Sequence, residues 1–144
     1  MPYIRDPSQS EWDINVLNLI GEESLTRFTF DGLKRRLGAH PETLSRALYR
    51  LEGQGMIEKR ADGYKVTTKL RKLHGSQPLS ARERSIPVLQ TLLTPDITAR
   101  QAVSDLGGKW FGTLRWLGYA KSSDNITLKW ITEDGGIQVD AVFS

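Results

Sequence analysis

Residues 30–68 read FDGLKRRLGAHPETLSRALYRLEGQGMIEKRADGYKVTT. Phe30, Leu33 and Leu37 fall at i, i+3 and i+7, one face of a short helix. Gly38 closes it, since glycine enters a left-handed cap without steric cost. Pro41 opens a second helix at the turn where proline is tolerated, and Glu42 suits the positive helix end. Leu44, Ala47, Leu48 and Leu51 form its apolar stripe, and Gly53 and Gly55 end it. Two β-prone runs follow, Met56–Arg60 and Tyr64–Thr68, around Ala61-Asp62-Gly63, a strong hairpin signal.

The second helix has an unusual outer face. At 100° per residue, Glu42, Arg46 and Tyr49 lie opposite the apolar stripe, with Thr43, Ser45 and Arg50 on its flanks. An ordinary solvated face is the plain alternative, but such faces are usually richer in Glu and Lys. Arg pairs in a bidentate way with guanine edges, hydroxyls bond bases or phosphates, and Tyr bonds phosphate or stacks. Glu42 is one turn before Arg46 and can aim its guanidinium.

The Leu-Lys-Arg-Arg-Leu-Gly turn, the Leu-Ser-Arg-Ala-Leu-Tyr-Arg-Leu helix and the Gly-Met-Ile-Glu-Lys hairpin entry carry a resemblance. Over roughly Ser10 to Lys69 the chain resembles the winged helix-turn-helix of prokaryotic transcription regulators, in the broad MarR/ArsR-like group. The resemblance implies a double-stranded DNA-binding regulator. Thr43, Ser45, Arg46, Tyr49 and Arg50 would read bases in the major groove. Lys34, Arg35, Arg60 and Lys65 would hold phosphates, Tyr64 and the wing tip would lie along the backbone, and His40 at the helix cap would contact phosphate. Such regulators usually bind as dimers on two half-sites about one helical turn apart.

The charge distribution fits that expectation. Between Lys34 and Lys72 there are eleven Lys and Arg against four Asp and Glu, whereas residues 76–144 carry seven of each. A local excess of this kind is the electrostatic footprint of a phosphate binder. The whole chain, 144 residues at net +3, is long enough for one ordinary domain or two small ones. It contains no cysteine, so disulfides, thiolate zinc sites and cysteine nucleophiles are excluded. No apolar run approaches the roughly 20 residues of a membrane span, and the N-terminus has no hydrophobic signal core, so a cytoplasmic protein is expected.

Residues 1–9 read as a loose arm. Ser10 with Asp13 resembles a helix cap; Trp12, Val16, Leu17 and Ile20 follow on one face, and Gly21 is the expected stop. Arg27–Phe30 suggests a short strand beside the hairpin. The domain reading is an N-terminal winged helix over 10–74, with a basic helical extension at Lys69–His74, a linker at 75–79, and a second domain over 80–144. In that second half Ser80–Glu83 is a capping box, and Val88, Leu89, Leu92 and Leu93 cluster at helical spacing. Thr98 caps a helix through Leu106, Lys109–Leu117 reads as a short aromatic helix stopped by Gly118, and Ile126–Thr132 and Ile137–Phe143 read as a hairpin.

Repetition of the first half's element order predicts an α+β chain of two tandem winged-helix-like domains. Trp110, Phe111 and Trp116 lie in a half with no net charge, so they suit a core, a dimer or partner interface, or stacking on nucleic acid. The alternative to a sequence-specific regulator is a tandem winged-helix adaptor in a transcription, replication or RNA-processing complex, binding protein and nucleic acid without sequence choice. A ligand pocket built on Trp110, Trp116 and Trp130 is a third possibility. No metal, cofactor or enzymatic activity is expected. His40 and His74 have no matching ligand set, and no phosphate loop or nucleophile elbow is present.

Overall fold

Pro7 takes the first helical position of α1 (Pro7–Glu23), where its missing N–H is not needed, so this helix starts before Ser10. It also runs through Gly21. The chain reverses at Ser24 instead, a non-glycine residue at φ 53°, where the Leu25 N–H donates back to the Ile20 carbonyl at 3.0 Å. Burial of Leu25 in the core holds the turn in place of a glycine. The computed structural model describes residues 7–74, 86–88, 90 and 97–144. The first six residues of the expected arm, the 75–79 linker, the Ser80–Glu83 capping box, and Leu89, Leu92 and Leu93 lie outside these.

Strand β1 (Arg27–Phe28) leads into α2 (Phe30–Leu37), α3 (Pro41–Gly53), the β2 (Ile57–Arg60) and β3 (Gly63–Val66) hairpin, and α4 (Thr68–His74). Local chemistry sets each boundary. The Thr29 hydroxyl accepts from the Gly32 N–H at 3.0 Å to cap α2, and Gly38 ends it at φ 64°. His40 caps α3 through Nδ1, which accepts from the Glu42 N–H at 3.3 Å. Leu33, Leu44, Leu48 and Leu51 are fully buried with Val16, Phe28, Ile57 and Val66, so α1, α2, α3 and the hairpin share one core. After α5 (Ala99–Leu106) come β4 (Leu114–Lys121), β5 (Ile126–Thr132) and β6 (Gln138–Phe143). No helix among the described residues is long and apolar enough to cross a membrane.

All six strands form one antiparallel sheet in the order β2-β3-β1-β4-β5-β6. The two-residue β1 joins its halves: Phe28 pairs with Tyr64 on one side and with Gly118 on the other. This corrects the expected helix over Lys109–Leu117, since residues 114–117 belong to β4 and Phe111 makes only an isolated bridge to Leu114. The element order that suggested a second winged-helix-like unit is therefore not present among the described residues. Gly118 is not a helix stop but a crossing point, because a Cβ there would lie 2.1 Å from the Arg27 carbonyl oxygen. Gly32 does the same for α2, whose backbone lies so close to β4 that a Cβ would meet the Leu117 Cα at 2.5 Å. Helix α2 is thereby clamped to the C-terminal half of the sheet.

Candidate functional site

The outer face of α3 is bare. Its apolar stripe, Leu44, Ala47, Leu48 and Leu51, is fully buried. On the other side Ser45 and Arg46 are exposed, Thr43 is half-exposed, and Tyr49 is 78% exposed. A tyrosine ring left this open on a helix is unusual, since its apolar body gains by burial. Arg46 Nη2 donates to Glu42 Oε1 at 2.6 Å, an i, i+4 pair with both side chains mostly in solvent. Such pairs are worth only about 0.3–0.5 kcal/mol. Arg46 can therefore leave Glu42 for a stronger acceptor.

Arg50 differs. Its Nε and Nη2 both bond the Asp13 carboxylate, at distances from 2.6 to 3.1 Å, and its side chain is only 26% exposed. This bidentate pair fastens α3 to α1, so Arg50 belongs to packing rather than to the base-reading set. The partners are 37 residues apart in sequence, and Asp13 read locally as a capping acid, so only the structure reveals the pair.

Arg35 is half-buried: one guanidinium nitrogen is buried without a hydrogen-bond partner among the described residues, and its main chain lies against Gly135. Arg36 Nε donates to Gln138 Oε1 at 2.7 Å. Lys34 stays half-exposed and His40 is exposed at the α3 cap. On the hairpin Arg60 is exposed beside Glu58, and Lys65 is half-exposed. Tyr64 is not a free wing-tip contact, because its ring stacks on Phe28 at 5.4 Å and 14°. Burial, then the charge of Glu52, pushes its phenol above the ordinary tyrosine range. Lys59, which was not singled out from sequence, is exposed on β2. The expected residues still open to solvent are Thr43, Ser45, Arg46 and Tyr49 on α3, His40 at its cap, Lys34 on α2, and Arg60 and Lys65 on the hairpin, to which the structure adds Lys59.

The aromatic residues of the second half make a cluster of their own. Trp116 and Phe111 both pack edge-on against Trp130, at 5.4 and 5.8 Å, and Trp130 Nε1 donates to the Lys109 carbonyl at 2.8 Å. Trp110 is 56% exposed and lies beneath the Arg115 guanidinium at 4.2 Å. Arg115 also bonds Glu133 and holds its carboxyl below the usual range. Trp116 borders a half-open cleft of about 390 Å³ with Tyr119, Ile126, Leu128 and Val103, but Trp110 and Trp130 do not line it.

On the other face of the sheet is a buried ion cluster that sequence reasoning missed. Lys129 Nζ donates to Glu23 Oε1 at 3.0 Å and Asp140 Oδ2 at 2.8 Å, and Gln138 Nε2 donates to Glu23 Oε1 at 2.8 Å. Burial pushes the Glu23 carboxyl up, but the Lys129 charge, the hydrogen bonds from Gln138 and Lys129, and Arg36 outweigh it and hold the pKa below the ordinary value. Its only sequence signal was that Lys129 and Asp140 fall at matching positions of two alternating runs. Among the described residues no group of three or more His, Asp or Glu is placed to hold a metal. The chain matches no family model, no curated protein and no solved structure.

Proposed function

We propose that residues 10–74 act as a winged helix-turn-helix and that the protein is a sequence-specific double-stranded DNA-binding transcription regulator. Helix α3 enters the major groove, Arg46 reads a guanine edge, and Ser45, Thr43 and Tyr49 contact neighbouring bases or phosphates. Lys34, His40, Lys59, Arg60 and Lys65 hold the backbone on either side. The observation that carries this reading is the α3 outer face, where a guanidinium, two hydroxyls and an open phenol stand on a helix whose other side is fully buried. The net positive charge of residues 34–72 supports it. Arg50 and Tyr64 are left out because each already has a partner within the fold, and Arg35 because one of its guanidinium nitrogens is buried.

The test is selection of bound duplexes from a random DNA pool by the full chain, followed by titration of the winner against scrambled competitor at several salt concentrations. The reading expects one enriched site, bound at least about 10³-fold more tightly than scrambled duplex. Binding that tracks salt alike on every sequence would reject sequence-specific regulation and leave phosphate contact alone.

A further inference from the structure

The two edges of the sheet are built differently. Edge strand β2 presents exposed Glu58, Lys59 and Arg60, the kind of charged edge that repels strand addition. Edge strand β6 runs six residues with Asp140 as its single charge, and that carboxylate is held at 2.8 Å by Lys129 of its own sheet. Val139 and Val142 on β6 are left 39% and 56% exposed.

The ladder fixes which β6 groups are left unpaired by β5, its one strand neighbour among the described residues. The Glu133 N–H donates to Thr113 on the β4 side, and the Thr132 N–H donates to Ile137 on the β6 side. With the continuous β5–β6 register, the main chains of 139, 141 and 143 bond inward to β5. The N–H and C=O groups of Gln138, Asp140 and Val142 therefore point away from the sheet.

We infer that β6 pairs antiparallel with β6 of a second copy, continuing the sheet across a two-fold axis. An axis that keeps each face of the sheet on its own side must pass through a residue, not between residues. Within β6 two such registers pair five of its six residues. Centring on Asp140 places two carboxylates opposite each other, which is destabilising. Centring on Ala141 places Val139 opposite Phe143 of the partner subunit and Asp140 opposite the partner's Val142. Val139, Ala141 and Phe143 stand opposite Trp130, Leu128 and Ile126, so in this register the apolar face runs unbroken through the axis. The occupant is a second copy because the strand is complementary to itself in this register, while the charged β2 edge disfavours head-to-tail growth. This inference is independent of DNA binding.

The chain has no cysteine, so Ala141→Cys supplies one thiol per subunit. At the axis, the two Cα atoms of a non-hydrogen-bonded pair lie about 4.5 Å apart, within disulfide reach. Val139→Cys would place its thiols four residues apart along the strands, about 13 Å. The expected result is twice the chain mass by light scattering for the unmodified protein. Mild oxidation should give covalent dimers of Ala141→Cys and not of Val139→Cys. Val142→Pro removes an outward N–H at an edge position that accepts proline, and should give a folded monomer. A monomeric unmodified protein at 100 µM, on the order of weak-dimer affinities, would overturn the inference. So would cross-linking of Val139→Cys in place of Ala141→Cys, or a Val142→Pro protein that stays dimeric.

Discussion

Arg46 and Arg50, one turn apart on α3, meet carboxylates of different kinds. The Arg46–Glu42 pair is solvated and weak, whereas Arg50 grips Asp13 with two nitrogens at the α1–α3 contact. The two alanine variants should therefore fail differently. Arg46→Ala should keep its unfolding midpoint, lose about 1–3 kcal/mol on the selected site and relax one base position. Arg50→Ala should lose about 1–3 kcal/mol of stability, because Asp13 is left half-buried without its partner. Denaturant titration and binding measured on both proteins check this; a destabilised Arg46→Ala with unchanged discrimination would reverse the assignment. Glu23 gives a pH prediction. A carboxylate whose folded pKa is lowered contributes stability fully above the ordinary glutamate value of about 4.3 and loses it as pH falls through the lowered value. Denaturation midpoints should thus drop below about pH 4, and Glu23→Gln should flatten that acid limb. Glu23→Ala should cost about 3 kcal/mol at neutral pH, since Lys129 keeps only Asp140. Equal acid limbs in the unmodified and Gln proteins would remove Glu23 from the account.

At the scale of elements, α2, α3 and the hairpin were legible because their signals are local. Gly38 and Pro41 act within a turn of where they stand, the leucine stripe has helical period, and Asp62-Gly63 makes its own reversal. Strands β5 and β6 were legible for the same reason, through alternation. Strand β4 was not. Its Trp-Leu-Gly run fits a short helix ending in glycine as well as it fits a strand, and what decides is the Arg27–Phe28 backbone that it crosses. The site was legible to the same extent. The exposed positions of α3 follow from periodicity, but the removal of Arg50, Arg35 and Tyr64 depends on Asp13, Gly135 and Phe28, none of which is a near neighbour in sequence. The crossing can be tested at Gly118, where a side chain would meet the Arg27 carbonyl. Gly118→Val should cost about 3 kcal/mol or more by forcing β1 and β4 apart. Ala120→Val, on the same strand at a half-exposed position, should unfold near the parent midpoint. Similar midpoints for the two variants would show that the crossing is looser than described.

For the molecule as a whole, one sheet ties the α3 platform to the C-terminal strands, through β1–β4 pairing and through α2 clamped by Gly32. A fragment ending at His74 would leave β1 without one neighbour and strip the β4 backbone from α2. It should lack the cooperative unfolding transition of the full chain, as followed by circular dichroism; a fragment as stable as the parent would show that the halves fold separately. This arrangement places the C-terminal half against α2 and leaves the outer face of α3 exposed, so the same framework that is tested by truncation also keeps that face open among the described residues. The most direct test of that surface is methylation interference on the selected duplex. Methyl groups at guanine N7 lie in the major groove, and those at adenine N3 lie in the minor groove. Guanine N7 methylation at one position should block binding of the unmodified protein, and Arg46→Ala should become indifferent to it. Interference confined to adenine N3, or guanine interference unchanged in Arg46→Ala, would contradict a reading helix at α3.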